Sequence, residues 1–361
     1  MKKKSYRRWI WLGVSTVVLG LIFYNLRQNP EWRNFDWGRL WQSLTHARPK
    51  LLLLALGAVY FTYLVRAYRW KFFMAPMKKA SIWVLFVGQV LGFSAIYLVG
   101  RPGEFVRPAY IAKKESVPIT SMVAVWLLER IFDSICLVLL FSLALFFIPT
   151  GQMSTAGAHV LTVMHRAGDV MLALTMVVVG SLVTYRLKTR AITAWLLRRA
   201  QILPQRMQHR AERLLESFAE GLQVVQSLPD FLGSAALSVV LWCTNGTIFW
   251  LALQSLGGGL AQLSWMAAAL VMFCASLGLL VQFPGIGGGY QVGIVLALTE
   301  VFAVEADVAT GASILLWLLM CVPVMVMGLA MLVHEGLSIK RLEAITEEEE
   351  EMEHEAAAKD S

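Results

Sequence analysis

Charge is scarce in this chain, and that scarcity excludes most soluble architectures. Asp, Glu, Lys and Arg make up 16% of its 361 residues, against 57% hydrophobic residues and a mean hydropathy of +0.61. Ordinary soluble domains carry roughly 25% charged residues. Cysteine is also sparse. Cys136, Cys243, Cys274 and Cys321 all lie inside apolar runs and form no C-x-x-C pair, which argues for small hydrophobes in helix interiors and against disulfide or metal chemistry. The six histidines sit in loops or at segment ends, and His334-Glu335 lacks the second histidine of a zinc-protease helix. No glycine-rich phosphate loop follows a strand, and no ATP-binding signature or nucleophile–base set is present. The period-two alternation of an outer-membrane barrel is also missing. The sequence therefore asks for no cofactor, no metal and no catalytic residue.

What it has instead is a series of uncharged runs near 20 residues long, the length that crosses a hydrocarbon core as a helix. The expected fold is all-α: a polytopic helical membrane protein. The formal charge of +8 hides two populations. Residues 341–361 carry two basic and nine acidic groups, leaving 30 basic against 15 acidic in residues 1–340. A basic body suits anionic lipid headgroups. Because its charge lies in short inter-helix loops, nucleic acid is not the expected partner. The acidic tail 341–361 reads as a disordered, solvated segment.

Charge placement sets the expected topology. Lys2, Lys3, Lys4, Arg7 and Arg8 precede an apolar stretch from Trp9 to Leu26 with no small-x-small cleavage site. That pattern reads as an uncleaved anchor with a cytoplasmic N-terminus. Trp32, Trp37 and Trp41 suit an interface. A second span, about 50–72, ends at Arg66, Arg69, Lys71, Lys78 and Lys79, expected to be snorkelling anchors. Spans follow at about 118–148, 168–185, 231–255 and 308–333. The basic stretch 186–230 reads as a cytoplasmic linker with an amphipathic helix on the membrane surface or the protein body. The expectation is about six spanning helices within one domain, 1–340, with both termini cytoplasmic.

Two further apolar segments are each interrupted by a Pro-Gly break, and charge counting requires each to enter and leave on one side. Residues 81–112 break at Gly100-Arg101-Pro102-Gly103-Glu104, and residues 264–302 break at Phe283-Pro284-Gly285. They read as re-entrant hairpins entering from opposite faces. Helix, hairpin, helix (50–148) and helix, hairpin, helix (231–333) then form an inverted repeat, the sequence pointer to a transport site near the bilayer midplane.

The charged residues inside these segments are the candidate site. Arg101 and Arg107 flank Glu104, and Gly103 permits close backbone approach. Arginine forks bind phosphate bidentately and stay charged in low dielectric. This group can bind a phosphate headgroup, or hold the hairpin together through an Arg–Glu pair. In the long span, Glu129 and Asp133 are spaced i, i+4 around Arg130 and share a face. Glu129 is 11 residues past Pro118, roughly 16 Å along a helix axis and thus near mid-bilayer. These residues either balance the arginines or couple transport to protons by titration. The second hairpin offers its glycines with Gln282, Tyr290 and Gln291, and Pro284, Gly285, Gly288 and Gln291 read as a gate, a neutral half of the site, or a close-packed turn.

Gly100-Arg101-x-Gly103-Glu104-x-x-Arg107, Glu129-Arg130-x-x-Asp133 and Pro284-Gly285-x-x-Gly288-x-x-Gln291, in that order, resemble the lysylphosphatidylglycerol synthase/flippase transmembrane family. That family includes the flippase half of the multiple peptide resistance factor. The resemblance covers roughly residues 10–335. It implies a lipid-translocating membrane domain with re-entrant segments. Many members carry an acid where this chain has Gln291. The sequence given holds no soluble aminoacyl-transfer domain, so it is not expected to make lysyl-lipid. The expected function is a non-ATP-driven flippase or transporter of an anionic phosphate-headed lipid, phospholipid or polyprenyl-phosphate, in a prokaryotic plasma membrane. A homo-oligomer is compatible with the sequence. Two alternatives are a membrane-embedded enzyme acting on a lipid phosphate and a non-transporting membrane scaffold.

Overall fold

The computed structural model describes residues 36–148, 227–279, 282–283 and 287–335, and, between the first two, residues 166, 168–181, 184 and 188. The anchor at 9–26, most of the linker at 186–230, and the tail at 341–361 lie outside the described residues, as do Pro284 and Gly285.

Four described helices are long and apolar enough to cross a membrane: α2 (Pro49–Met74), α5 (Ile119–Phe147), α7 (Leu228–Leu256) and α10 (Ala306–His334). At 26 to 29 residues each, they are roughly 39–44 Å long and exceed a hydrocarbon core of about 30 Å. Shorter apolar helices fill the space between them: α3 (Ile82–Val99), α6 (Gly168–Ser181), α8 (Trp265–Gly278) and α9 (Gly289–Leu296). Two more polar helices complete the set, α1 (Trp37–Thr45) and α4 (Val106–Glu115). The only strands among the described residues are Gln282–Phe283 and Gly287–Gly288, an antiparallel pair two residues long at the tip of the second hairpin. The chain is an all-α polytopic membrane protein.

Proline placement starts these helices. Pro49 and Pro229 occupy first-turn positions of α2 and α7, where the missing N–H costs nothing. Asp36 caps α1 by accepting from the N–H groups of Gly38 (2.7 Å) and Arg39 (3.3 Å).

Both interrupted segments are helical hairpins. α3 ends at Gly100, whose φ of 85° an L side chain would resist. A tight 3₁₀ turn over Arg101–Phe105 then reverses the chain into α4, which packs back along α3. The mouth of this hairpin is tied shut. The Glu115 carboxylate accepts from the Ser81 N–H at 2.9 Å and lies 3.4 Å from Lys78 Nζ, which also donates to the Glu115 carbonyl. α8 and α9 pack the same way, and a π turn over Ala297–Val301 leads to α10.

Side-chain contacts place the hairpin mouths at opposite ends of the bundle. At the basic end, Lys114 pairs with Glu335 at 2.6 Å, Trp83 meets His334, and Gly233 lies on Phe72. At the other end, Arg48 N–H donates to the Ser255 carbonyl (2.8 Å), Gln254 donates to the Leu263 carbonyl (3.2 Å), and Arg39 pairs with Glu305 (2.5 Å).

The helix contacts follow an inverted repeat. Exchanging α2–α3–α4–α5 with α7–α8–α9–α10 turns the contacts α2·α3, α3·α4, α4·α5, α3·α10 and α2·α10 into α7·α8, α8·α9, α9·α10, α8·α5 and α7·α5, all of which occur. The α2·α7 pair maps onto itself and forms the seam. Of the six expected spans, the four above are present at full length, and the one at 168–185 is represented by α6, whose Gly168 faces Phe141 and Leu145 of α5.

The Lys114–Glu335 latch carries a pH signature. Its hydrogen bond from Lys114, helped by one from Tyr110, holds the Glu335 carboxyl below its ordinary value. A depressed carboxyl contributes stability above its unfolded value, about 4.3, and loses it as pH falls through the folded value. Wild type is therefore expected to melt higher than Glu335→Gln at pH 6–7, with the gap closing below pH 4. A gap constant with pH in detergent melting curves contradicts the latch.

Candidate functional site

Five ionised side chains meet where α2, α4 and α5 converge, with polar neighbours from α3 and α7. Arg69 is fully buried. Its Nη1 donates to Asp133 Oδ1 at 2.5 Å and to Ser238 Oγ at 3.1 Å, while Nη2 donates to Glu129. Arg107 Nη2 lies 2.5 Å from Glu129 Oε2, and its Nη1 donates to Gln89 Oε1 at 2.7 Å. Its guanidinium lies 4.9 Å from the Trp70 ring centre and 5.5 Å from that of Phe93, a cation–π setting worth most when desolvated. Arg130 reaches Asp133 at 3.3 Å and Glu129 at 3.5 Å, and its side chain is 39% exposed. Trp242 Nε1 donates to Asp133 Oδ1 at 3.1 Å.

Local sequence explains the convergence. The i, i+4 spacing of Glu129 and Asp133 brings both carboxylates to one side of α5, where Arg69 spans them. Gly92 makes room for Arg107: a Cβ there would sit 2.6 Å from Arg107 Cβ. Gly88, one turn earlier, does the same for Ile111, so α4 lies close against α3 along a small-residue stripe.

Arg107, Glu129, Arg130 and Asp133, all read from the sequence as site residues, are thus brought together. Glu104 is half-buried in the 3₁₀ turn and within electrostatic reach of Arg130. Gly103 faces the α3 backbone: a Cβ there would lie 2.6 Å from the Ala95 carbonyl oxygen and the Ile96 nitrogen. Arg101 contributes backbone to the same turn, and its side chain lies outside the described residues. Gly288 pairs with Gln282 at the other tip at φ 92°, and Gln291 sits half-buried in the first turn of α9.

Arg69 overturns its expectation. Read from the sequence as a snorkelling anchor, it is instead the buried hub of the cluster, because α2 continues past it to Met74 and α7 covers it. Arg66, one turn earlier, is not an anchor at the membrane surface either: its guanidinium is 4.4 Å from the Phe93 ring centre. Gln89, Ser238 and Trp242 were not anticipated. The available signal was the spacing of Arg66 and Arg69 inside an otherwise apolar span, since intramembrane arginines require partners.

The charges do not cancel. Arg66, Arg69, Arg107 and Arg130 face Glu104, Glu129 and Asp133, leaving one positive charge in excess among the described groups. Among the described residues, no group of three or more His, Cys, Asp and Glu side chains could hold a metal.

Comparison with curated proteins returns no match. The family model for the lysylphosphatidylglycerol synthase TM region matches residues 9–328, nearly the whole apolar body and both hairpins. Its role is lipid-related, of the flippase or transporter kind. The chain belongs to the lysylphosphatidylglycerol synthase TM family.

Proposed function

We propose that this protein moves an anionic, phosphate-headed lipid between the leaflets of a prokaryotic plasma membrane, without ATP and without covalent chemistry on the lipid. The observation that carries the reading is the uncompensated positive charge of the arginine cluster at the first hairpin. Buried charge is costly unless paired, so a cluster built one anion short favours an anionic ligand. Arg101, Arg107 and Arg130 form the cationic side of the site, and Glu104, Glu129 and Asp133 limit its charge so that the lipid can leave again. Pro284, Gly285, Gly288 and Gln291 of the second hairpin serve as the opposing gate. The two half-repeats rock against each other along the α2·α7 seam, with both termini in the cytoplasm.

The test is reconstitution into phosphatidylcholine liposomes containing a trace of fluorescent phosphatidylglycerol, read by chemical quenching of the outer leaflet. Wild type is expected to expose inner-leaflet label, and Arg101→Ala to slow this by about tenfold, the loss of one charge-assisted contact. Equal rates in the two proteins remove Arg101 from the site. Rates equal to empty liposomes for wild type, or conversion of the lipid to a new product in detergent, overturn the transporter reading.

A further inference from the structure

Arg66 is the cation that the ion cluster leaves over. Among the described residues it has no ion pair and donates no hydrogen bond; its close contact is the face of Phe93. Asp133 and Glu129 lie within its electrostatic reach, but both are already in contact with Arg69 and Arg130, and Glu129 with Arg107 as well. Phe93 is 11 residues into α3 from Ile82, about 17 Å from the basic end, so this guanidinium sits near mid-depth. A charge there without a protein partner is a functional-site signal.

Tyr63 and Tyr97 pack in one cluster with Phe93, and Tyr290 reaches Tyr97 from the other hairpin. Tyr63, one turn before Arg66 on α2, meets Phe93 edge-on at 5.7 Å. Tyr97, on the last turn of α3, is within electrostatic reach of both Arg66 and Tyr63. Tyr290 comes from the other hairpin, two residues past the Gly288 break. It is 8% exposed, its ring lies 6.2 Å from Phe249, and its buried hydroxyl has no hydrogen-bond partner. Tyr97 is within its reach as well. An unpartnered buried hydroxyl is costly in an apolar setting. Tyr97, within electrostatic reach of both, is what links this hydroxyl to Arg66.

We propose that Arg66, together with the hydroxyls of Tyr63, Tyr97 and Tyr290, forms a phosphate oxyanion site between the two hairpins. The site rests on the reading of the protein as a lipid transporter and assigns the mid-membrane step of that transport. The buried Arg69–Glu129–Asp133 part of the cluster is then the scaffold behind it. Arg66 supplies charge, the tyrosines supply donors, and Tyr290 closes the site from the second hairpin. A tyrosine hydroxyl can donate to a phosphate oxygen yet stays neutral, so it adds recognition without adding charge for the lipid to escape.

The experiment measures binding of fluorescent phosphatidylglycerol to the full chain in detergent, alongside liposome transport. Arg66→Gln is expected to weaken binding by about 30-fold and Tyr290→Phe by about tenfold, the range for hydrogen bonds to a charged group. Arg66→Lys should recover part of the loss. Both Arg66→Gln and Tyr290→Phe should melt no lower than wild type, since each removes an unpartnered polar group. Wild-type-like binding by Arg66→Gln or by a folded Tyr290→Phe overturns the site, as does equal wild-type binding of fluorescent diacylglycerol, which lacks the phosphate. Competition by glycerol 3-phosphate at the same concentration as the lipid assigns the site to a soluble phosphate and overturns its lipid assignment. If wild type transports while Arg66→Gln binds normally, the site fails and the transporter reading stands. If binding needs Arg66 but wild type does not transport, the transporter reading fails and the site stands.

Discussion

Glu129→Gln leaves the protein about 3–5 kcal/mol less stable, the usual cost of removing one partner from a buried ion pair. Glutamine keeps the shape and one acceptor but not the charge. Arg69 and Arg107 both lean on this carboxylate, at 0% side-chain exposure for Glu129 and Arg69 and 5% for Arg107. Removing it doubles the positive excess in a region where water cannot compensate. The loss comes from stranded guanidiniums, not from a missing attraction. The double variant Arg107→Met/Glu129→Met should therefore be less damaging than Glu129→Gln alone, because it removes a charge of each sign. Thermal unfolding in detergent, followed by the recovery of monodisperse protein, makes the comparison. A Glu129→Gln protein as stable as wild type would show that Glu129 is not the shared counter-ion.

The sequence showed the architecture more fully than it showed the site, for a physical reason. Apolar run length and charged-loop placement are local properties, and they located α2, α5, α7, α10 and both hairpins before any contact was known. The inverted order also followed from counting sides. The pairing of charges did not, because it depends on which helix faces cross. Glu129 and Asp133 were recognisable as a pair from their spacing, but their principal partner, Arg69, is 60 and 64 residues away. Its nearness to the end of α2 made it look like an interfacial anchor. What decides otherwise is the α2·α7 seam, which brings Ser238 to Arg69 and Trp242 to its partner Asp133. Tyr290 was visible only as a residue of the second hairpin. Its unpartnered hydroxyl and its electrostatic reach to Tyr97, on the other hairpin, are relations between distant segments that no local pattern encodes.

Gly278→Ala is expected to cut lipid transport by at least about tenfold and to destabilise the protein by about 1–3 kcal/mol, the usual cost of overpacking. A Cβ at Gly278 would fall inside van der Waals contact with the carbonyl of Gly289 and lie 3.1 Å from the nitrogen of Tyr290. Both obstacles are backbone, so no side chain can swing away. Cys274 and Gly278 on α8 face Gly293 and Gly289 on α9, each pair four residues apart, the small-residue stripe that lets two helices touch along their backbones. The first hairpin uses the same device where Gly88 and Gly92 meet Ile111 and Arg107. Relief at Gly278 must come from parting α8 and α9, which carries Tyr290 away from Tyr97 and opens the gate. The loss of function should therefore exceed what the loss of stability explains: at a temperature where Gly278→Ala is fully folded, transport should still be slow. Gly259→Ala is the control, since an added Cβ there meets nothing within 4 Å. Melting curves and liposome transport for the two variants decide the matter. Equal behaviour would mean that the second hairpin tolerates separation and is not the gate.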